Sequence, residues 1–429
     1  MKSLQVMIER NGKMELVGSL SGNSSTNTRF RYDESFLQSA DAVPISLSLP
    51  LQEESFSTEL TKTFFDGLLP EGFTRRATAQ MIHVDENDYL SILAHLGREC
   101  IGAIKIVGED DPVPSGYEKL TIEQIKKLAE EGTTKSVEIV TKTHLSLTGA
   151  SGKAGLYYNE AEKNWYLPLG DAPSTHIVKQ SHIRLESIIA NEQLCLMTAK
   201  RMGLDVPQSF IVNTGNHRDE DVLFATQRFD RKFQSRGRTV DQLPVPNRLH
   251  QEDFAQALGI PAAEKYENIK QGYLQRMFRI LLENASDPIT DQLKLWEYVI
   301  FDYLVGNTDN HIKNVSLLYS PDLTSLRLAP AYDILSTAVY ESSTRDMAFF
   351  IGSESRLERI SRDSFEEAAK EVGIGRRIAM QRLDRMFLCF EESLKESAAV
   401  LKQQGFPGID DLRERIMELG GIANITKPV

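Results

Sequence analysis

The 429-residue sequence predicts an α+β protein, rich in short strands in its first half and mostly helical in its second. Three observations carry that expectation. Residues 4–8 read as a first strand, ahead of a turn signal at Asn11-Gly12. Short apolar runs bounded by turn residues recur at 165–170, 175–180, 209–213 and 222–227. From Leu249 onward apolar residues recur at i, i+3, i+4 and i+7, which predicts helices over 272–284, 290–305, 364–372, 377–403 and 409–419.

With 41% hydrophobic and 26% charged residues, the composition is that of an ordinary soluble protein. No run approaches the ~18 apolar residues of a membrane span, and charges interrupt the opening MKSLQVMIERNGK, unlike a signal peptide. Cys100, Cys195 and Cys389 are too scattered for a disulfide framework or a zinc site, so a reducing, cytoplasmic setting without a membrane is expected. A net charge of −12 argues against autonomous DNA binding, which relies on Lys and Arg. The local clusters Arg376-Arg377 and Arg382 with Arg385 read as solvated helix faces.

Taken in order, residues 1–135 read as an N-terminal module. Prolines at both ends predict an extended segment over 44–51. Residues 64–72 read as a helix end with a proline stop, and 92–103 as a helix closed by Gly97, with a strand through Ile106. A polar linker, 108–116, precedes a helix that Thr121 caps. Residues 136–429 form the remaining core, divided into 136–230 and a helical part, 231–429.

Within that core, residues 144–158 read as strand, glycine turn, strand. Such a turn can offer backbone N–H groups to phosphate. It is no Walker A loop, because Leu147 stands where the first glycine belongs and Ala154 replaces the Ser or Thr. Lys179 ends an apolar strand, either as a solvated edge residue or as a phosphate ligand. The helix over 185–202 carries Glu192, either a surface residue or the partner of a phosphate lysine. Gln227-Arg228-Phe229-Asp230-Arg231, at a strand end, has the composition of a salt-bridge knot.

The chemistry concentrates in residues 296–337. An apolar stripe of Trp296, Val299, Ile300, Tyr303 and Leu304 predicts a buried helix that stops at Gly306. A polar loop, Asn307 to Asn314, follows, then a hairpin that returns Asp333 to the same neighbourhood. Alone, D-x-x-x-x-N is a polar loop. With the helix before it and the hairpin and Asp after it, it matches the protein-kinase layout of base, amide ligand and second carboxylate.

GNTDNHIKN followed by APAYDILS resembles the catalytic core of the HipA family, bacterial toxin kinases of toxin–antitoxin pairs. SLSLPL, FFDGLLP and LGRECIGA are similar to that family's N-terminal domain. SLTGA-x-x-K is similar to its phosphate loop, HIVK to its lysine strand, RFDR to its hinge, and LHQEDFAQ with Lys265-Tyr266-Glu267 to a further segment. The resemblance implies a two-lobed protein-kinase-like fold: a mixed-strand small lobe, an extra N-terminal module and a mostly helical C-terminal lobe. It implies ATP and Mg²⁺ as cofactors. Asp309 would be the general base, Asn314 and Asp333 the Mg²⁺ ligands, and His311 and Lys313 neighbours of the γ-phosphate. Gly149, Ala150, Ser151, Gly152 and Lys153 would form the phosphate loop, although Ser151 and Gly152 depart from the commoner G-A-Q-x-K. Lys179 would reach the α- and β-phosphates, backbone groups near Gln227 and Phe229 the adenine, Asp230 the ribose, and Gln251 the nucleotide. Ser146 would be the site of self-inactivating autophosphorylation.

Implied partners are a HipB-like DNA-binding antitoxin dimer, which would carry this acidic chain to its operator, and a translation-related substrate. That substrate would be an aminoacyl-tRNA synthetase such as the glutamyl enzyme, whose phosphorylation halts growth and produces persistence. Two other classes are open. A small-molecule phosphotransferase usually has histidine before the loop aspartate, where Thr308 stands here. A catalytically silent regulatory partner of a DNA-binding protein would be expected to have lost Asp309, Asn314 or Asp333, and all three are present.

Overall fold

Asn11 and Gly12 both adopt left-handed backbone, with φ of 49° and 79°, as a two-residue hairpin turn requires. They join β1 (Lys2–Arg10) to β2 (Lys13–Gly22) with Arg10 opposite Lys13. The computed structural model describes residues 2–108, 114–130, 153–182, 185–235 and 237–425. In it β3 (Arg29–Tyr32) and β4 (Ile104–Val107) complete an antiparallel sheet of order β3-β2-β1-β4. Its inner face, with Val6, Ile8, Leu20 and Phe30, is fully enclosed, and the helix Thr58–Asp66 adds Phe64 and Phe65.

The chain forms two compact units, and neither is a single stretch. The first takes Met1–Gln180, Ala225–Ala262 and Leu318–Ser325; the second takes Ser181–Phe224, Ala263–Leu317 and Leu326–Val429. The expected cut after residue 230 therefore falls inside the first unit. The reason is local pairing. Arg231 and Lys232 pair antiparallel with Arg248 and Asn247, and both arginines are drawn into the ion-pair knot described below.

The first unit also holds β5 (Gly116–Lys119), β6 (Lys153–Asn159), β7 (Asn164–Leu169) and β8 (His176–Gln180), in the order β5-β7-β6-β8. Tyr117, Tyr157 and Tyr166 fill one face with Leu243 and Val245. The extended segment expected over 44–51 is instead a turn, with the Leu49 N–H donating to the Ser46 carbonyl at 3.1 Å. The buried carboxylate of Glu252 is the cause: it accepts from the Ser46 hydroxyl (2.5 Å) and the Leu47 N–H (3.1 Å), wrapping the chain around itself.

The second unit is helical, as the apolar spacing predicts. Its core lies around Pro288–Val305, against Tyr273–Asn284 and the long helix Arg376–Gln403. Trp296 is fully buried, donates its indole N–H to the Ala379 carbonyl at 3.2 Å, and meets Phe365 edge-on at 5.8 Å. Among the described residues no helix is long and apolar enough to cross a membrane.

Candidate active site

The helix Pro288–Val305 delivers the loop. Asp287 caps its start by accepting from the Thr290 N–H at 3.3 Å, and Pro288 occupies the first turn. Gly306 ends it with φ +73°, and a Cβ there would lie 2.7 Å from the Ala338 Cβ and 3.0 Å from the Gly420 Cα. Strain and overlap together predict that Gly306→Ala costs about 1–3 kcal/mol. Urea unfolding should show this as a lowered midpoint, and an unshifted midpoint would discount the constraint.

One buried carboxylate organises the loop that follows. Asp302 accepts from Asn307 Nδ2 at 2.8 Å on one oxygen and from Asn310 Nδ2 on the other. Burial pushes this carboxyl up to about 8, even though the two amide donors pull it down. Thr308 is held by Thr337, whose hydroxyl accepts its N–H at 2.7 Å. Asn307, Thr308, Asn310, His311, Ile312 and Lys313 are all buried, whereas Asp309 and Asn314 stay half-exposed. The fold has thus left partly exposed the expected base and one expected Mg²⁺ ligand, while His311 and Lys313, expected beside the γ-phosphate, are turned inward.

Those two are tied together. Asn314 Nδ2 donates to the Asp309 carbonyl at 2.9 Å, so the amide oxygen is the end of Asn314 left to coordinate. Asp309 accepts on Oδ1 from the Tyr266 hydroxyl, whose ring meets His311 edge-on at 5.1 Å. The hairpin Ser316–Tyr319 to Leu326–Leu328 then brings back the second carboxylate. Tyr332 donates its hydroxyl to the Lys313 carbonyl at 3.1 Å, which sets Asp333 alongside the loop. Asn314, Tyr332 and Ile334 line one small cavity, and Asp333 is half-exposed with left-handed backbone, φ 58°. A non-glycine residue held in that region marks a backbone determined by its surroundings. An amide oxygen and a carboxylate are the hard oxygen donors that Mg²⁺ takes, with water and phosphate completing its shell.

In the first unit, Lys153 lies directly opposite Lys179 in the β6–β8 ladder. Cross-strand partners share a face, so the two lysines project from the same side of the sheet. Gln227 and Phe229 are half-buried and alternate with the buried Arg228 and Asp230. Asp230 sits in the ion-pair knot weighed as its alternative environment, accepting from Arg228 Nη2 and the Gly102 N–H at 2.7 Å each. Gln251 Nε2 reaches the same carboxylate oxygen at 3.0 Å, so two of the residues expected at the nucleotide are joined. Ser146, Gly149, Ala150, Ser151 and Gly152 lie outside the described residues. Glu192 is buried rather than a surface glutamate.

Sequence reasoning missed Asp302, Tyr266 and Glu99 as organisers of these sites. Asp302 had a visible signal: a lone carboxylate inside the apolar helix segment Phe301-Asp302-Tyr303.

Comparison with known families bears on the whole chain. The HipA N-terminal domain model matches residues 7–107, and the HipA-like C-terminal domain model matches residues 145–394. This chain belongs to the HipA family. The HipA-family chain is 32% identical over 412 residues to Y4mE of Sinorhizobium fredii, which is named as a kinase by assignment; the match covers 93% of this chain and 92% of that one. It is 25% identical to the serine/threonine-protein kinase toxin HipA of Shewanella oneidensis, over 90% of this chain and 88% of that protein. In fold it is similar to HipA in the solved complex of Shewanella oneidensis HipA, HipB and operator DNA. The TM-score there is 0.78, with 21% identity, and 96% of each chain is covered. The HipA-family kinase-like fold is therefore that of this chain.

Proposed function

We propose that this HipA-family chain is an ATP- and Mg²⁺-dependent serine/threonine protein kinase, the toxin of a toxin–antitoxin pair. The observation that carries the reading is the selective exposure of Asp309 and Asn314 in a loop otherwise turned inward, with Asp333 beside it. Asp309 accepts the proton of the acceptor hydroxyl as its oxygen attacks the γ-phosphorus and the bond to the bridging oxygen breaks, releasing ADP. Asn314 and Asp333 would hold Mg²⁺, which when bound neutralises phosphate charge. His311 and Lys313, buried within the loop, would neighbour the transferring group, while the facing pair Lys153 and Lys179 would bind the other phosphates. Backbone groups near Gln227 and Phe229, with Gln251, take the nucleoside, whereas Asp230, enclosed in the ion-pair knot, braces this segment and does not reach the ribose.

The fold shared with a HipA found with HipB and operator DNA supports a HipB-like antitoxin as partner. DNA would be reached mainly through that partner, because this chain carries a net charge of −12. An aminoacyl-tRNA synthetase such as the glutamyl enzyme is the proposed acceptor, and the cytoplasm the compartment. Labelled ATP, Mg²⁺ and purified chain, added to a lysate and separately to glutamyl-tRNA synthetase, test this. A labelled synthetase is expected; no transfer to any protein would remove the kinase reading.

Self-inactivation at Ser146 makes a separate prediction. Mass spectrometry after incubation with Mg·ATP alone should find phosphate on Ser146, and phosphate found only on other residues would exclude that serine.

A further inference from the structure

The base in this site has a side-chain partner that the kinase layout does not call for. Tyr266 follows the short turn Ala262–Glu264, and its hydroxyl donates to Asp309 Oδ1. Its ring lies edge-on against His311, 5.1 Å between centroids at 83°, and Lys265 Nζ stands 5.5 Å from its centre. The next residue fastens this backbone. The Glu267 N–H donates to the Ala348 carbonyl at 2.8 Å, and the Glu267 carboxylate accepts from the N–H groups of Tyr273 (3.1 Å) and Phe350 (3.0 Å). The phenol is therefore carried on a segment pinned to both a helix start and the strand Asp346–Ile351.

We infer that Tyr266 is a positioning residue for Asp309, setting the plane of its carboxylate for proton acceptance. This rests on the reading of Asp309 as the base. Asn314 secures the backbone of Asp309 through its carbonyl, but that bond leaves rotation of the side chain unconstrained. The phenol acts on the carboxylate itself, through Oδ1, and so bears directly on its orientation. Reaction geometry is sensitive to such placement, because a misalignment of about 1 Å costs on the order of 10²-fold in rate.

Tyr266→Phe keeps the ring on His311 and removes only the donor. Its kcat is expected to fall roughly tenfold, with the KM for ATP unchanged. A role in packing alone would leave kcat at the wild-type value and would overturn the inference. A raised kcat would overturn it too, because the phenol would then be blocking the base. Asp309→Asn, measured in parallel, separates the two readings. If that variant keeps the wild-type rate, the base assignment itself has failed; if it is inactive while Tyr266→Phe matches wild type, only the role of Tyr266 has failed. Equal urea midpoints for Tyr266→Phe and wild type establish that the comparison is between folded proteins.

Discussion

Asp309→Asn is expected to lower phosphoryl transfer by about 10²–10⁴-fold, the usual contribution of a positioned base. The substitution is close to isosteric and the residue is half-exposed, so stability should change little. The backbone bond from Asn314 goes to the Asp309 carbonyl and survives the change. Nucleotide affinity should also persist, because the base acts on the acceptor hydroxyl and not on ATP. The pattern to look for is a collapse in kcat with near-constant ATP binding and an unshifted unfolding midpoint. A variant with an unchanged rate would remove Asp309 from the role of base.

The second large effect belongs to the buried ion-pair knot. Glu99 accepts from Arg231 Nη2 (2.9 Å) and Arg228 Nη1 (3.3 Å) on one oxygen, and from Arg248 Nη2 (2.6 Å) on the other. Glu9 and Asp230 complete a set of three carboxylates against three guanidiniums, all nearly inaccessible. Burial opposes the ionisation of Glu99, but the three guanidiniums outweigh it and hold the carboxyl down at about 2. Glu99→Ala leaves the buried arginines without their shared partner and is expected to cost about 3–5 kcal/mol.

The pH dependence follows in sign. The folded pKa lies below the ordinary glutamate value near 4.5. The stabilisation is therefore complete above that value and is lost as pH falls from there towards 2. Denaturant midpoints between pH 6 and 2 should fall for wild type, and less steeply for Glu99→Ala. A variant as stable as wild type at pH 7 would show that the knot is dispensable. Function should follow stability here, because Glu99 and Glu9 belong to the N-terminal sheet region while Arg228, Asp230 and Arg231 continue from the strand that ends at Gln227.

Sequence patterns made some of this molecule readable and hid the rest for one reason. The helices of the second unit, the Asn11-Gly12 hairpin and the strands at 209–213 and 222–227 follow from periodicity and turn chemistry, which act over a few residues. The turn at Ser46 was hidden because Glu252, 206 positions away, imposes it. Tyr266 is likewise silent in sequence, since nothing near it indicates Asp309, 43 residues on.

By itself, the sequence determined the α+β class, the family, and the loop from Asn307 to Asn314 with its later carboxylate, since these are written in spacing and residue type. Tertiary structure alone decided which loop side chains face outward, that Asp302 anchors them, and that Glu99 gathers three arginines. Burial and long-range hydrogen bonds set those outcomes, and both depend on which distant segments the fold brings into contact.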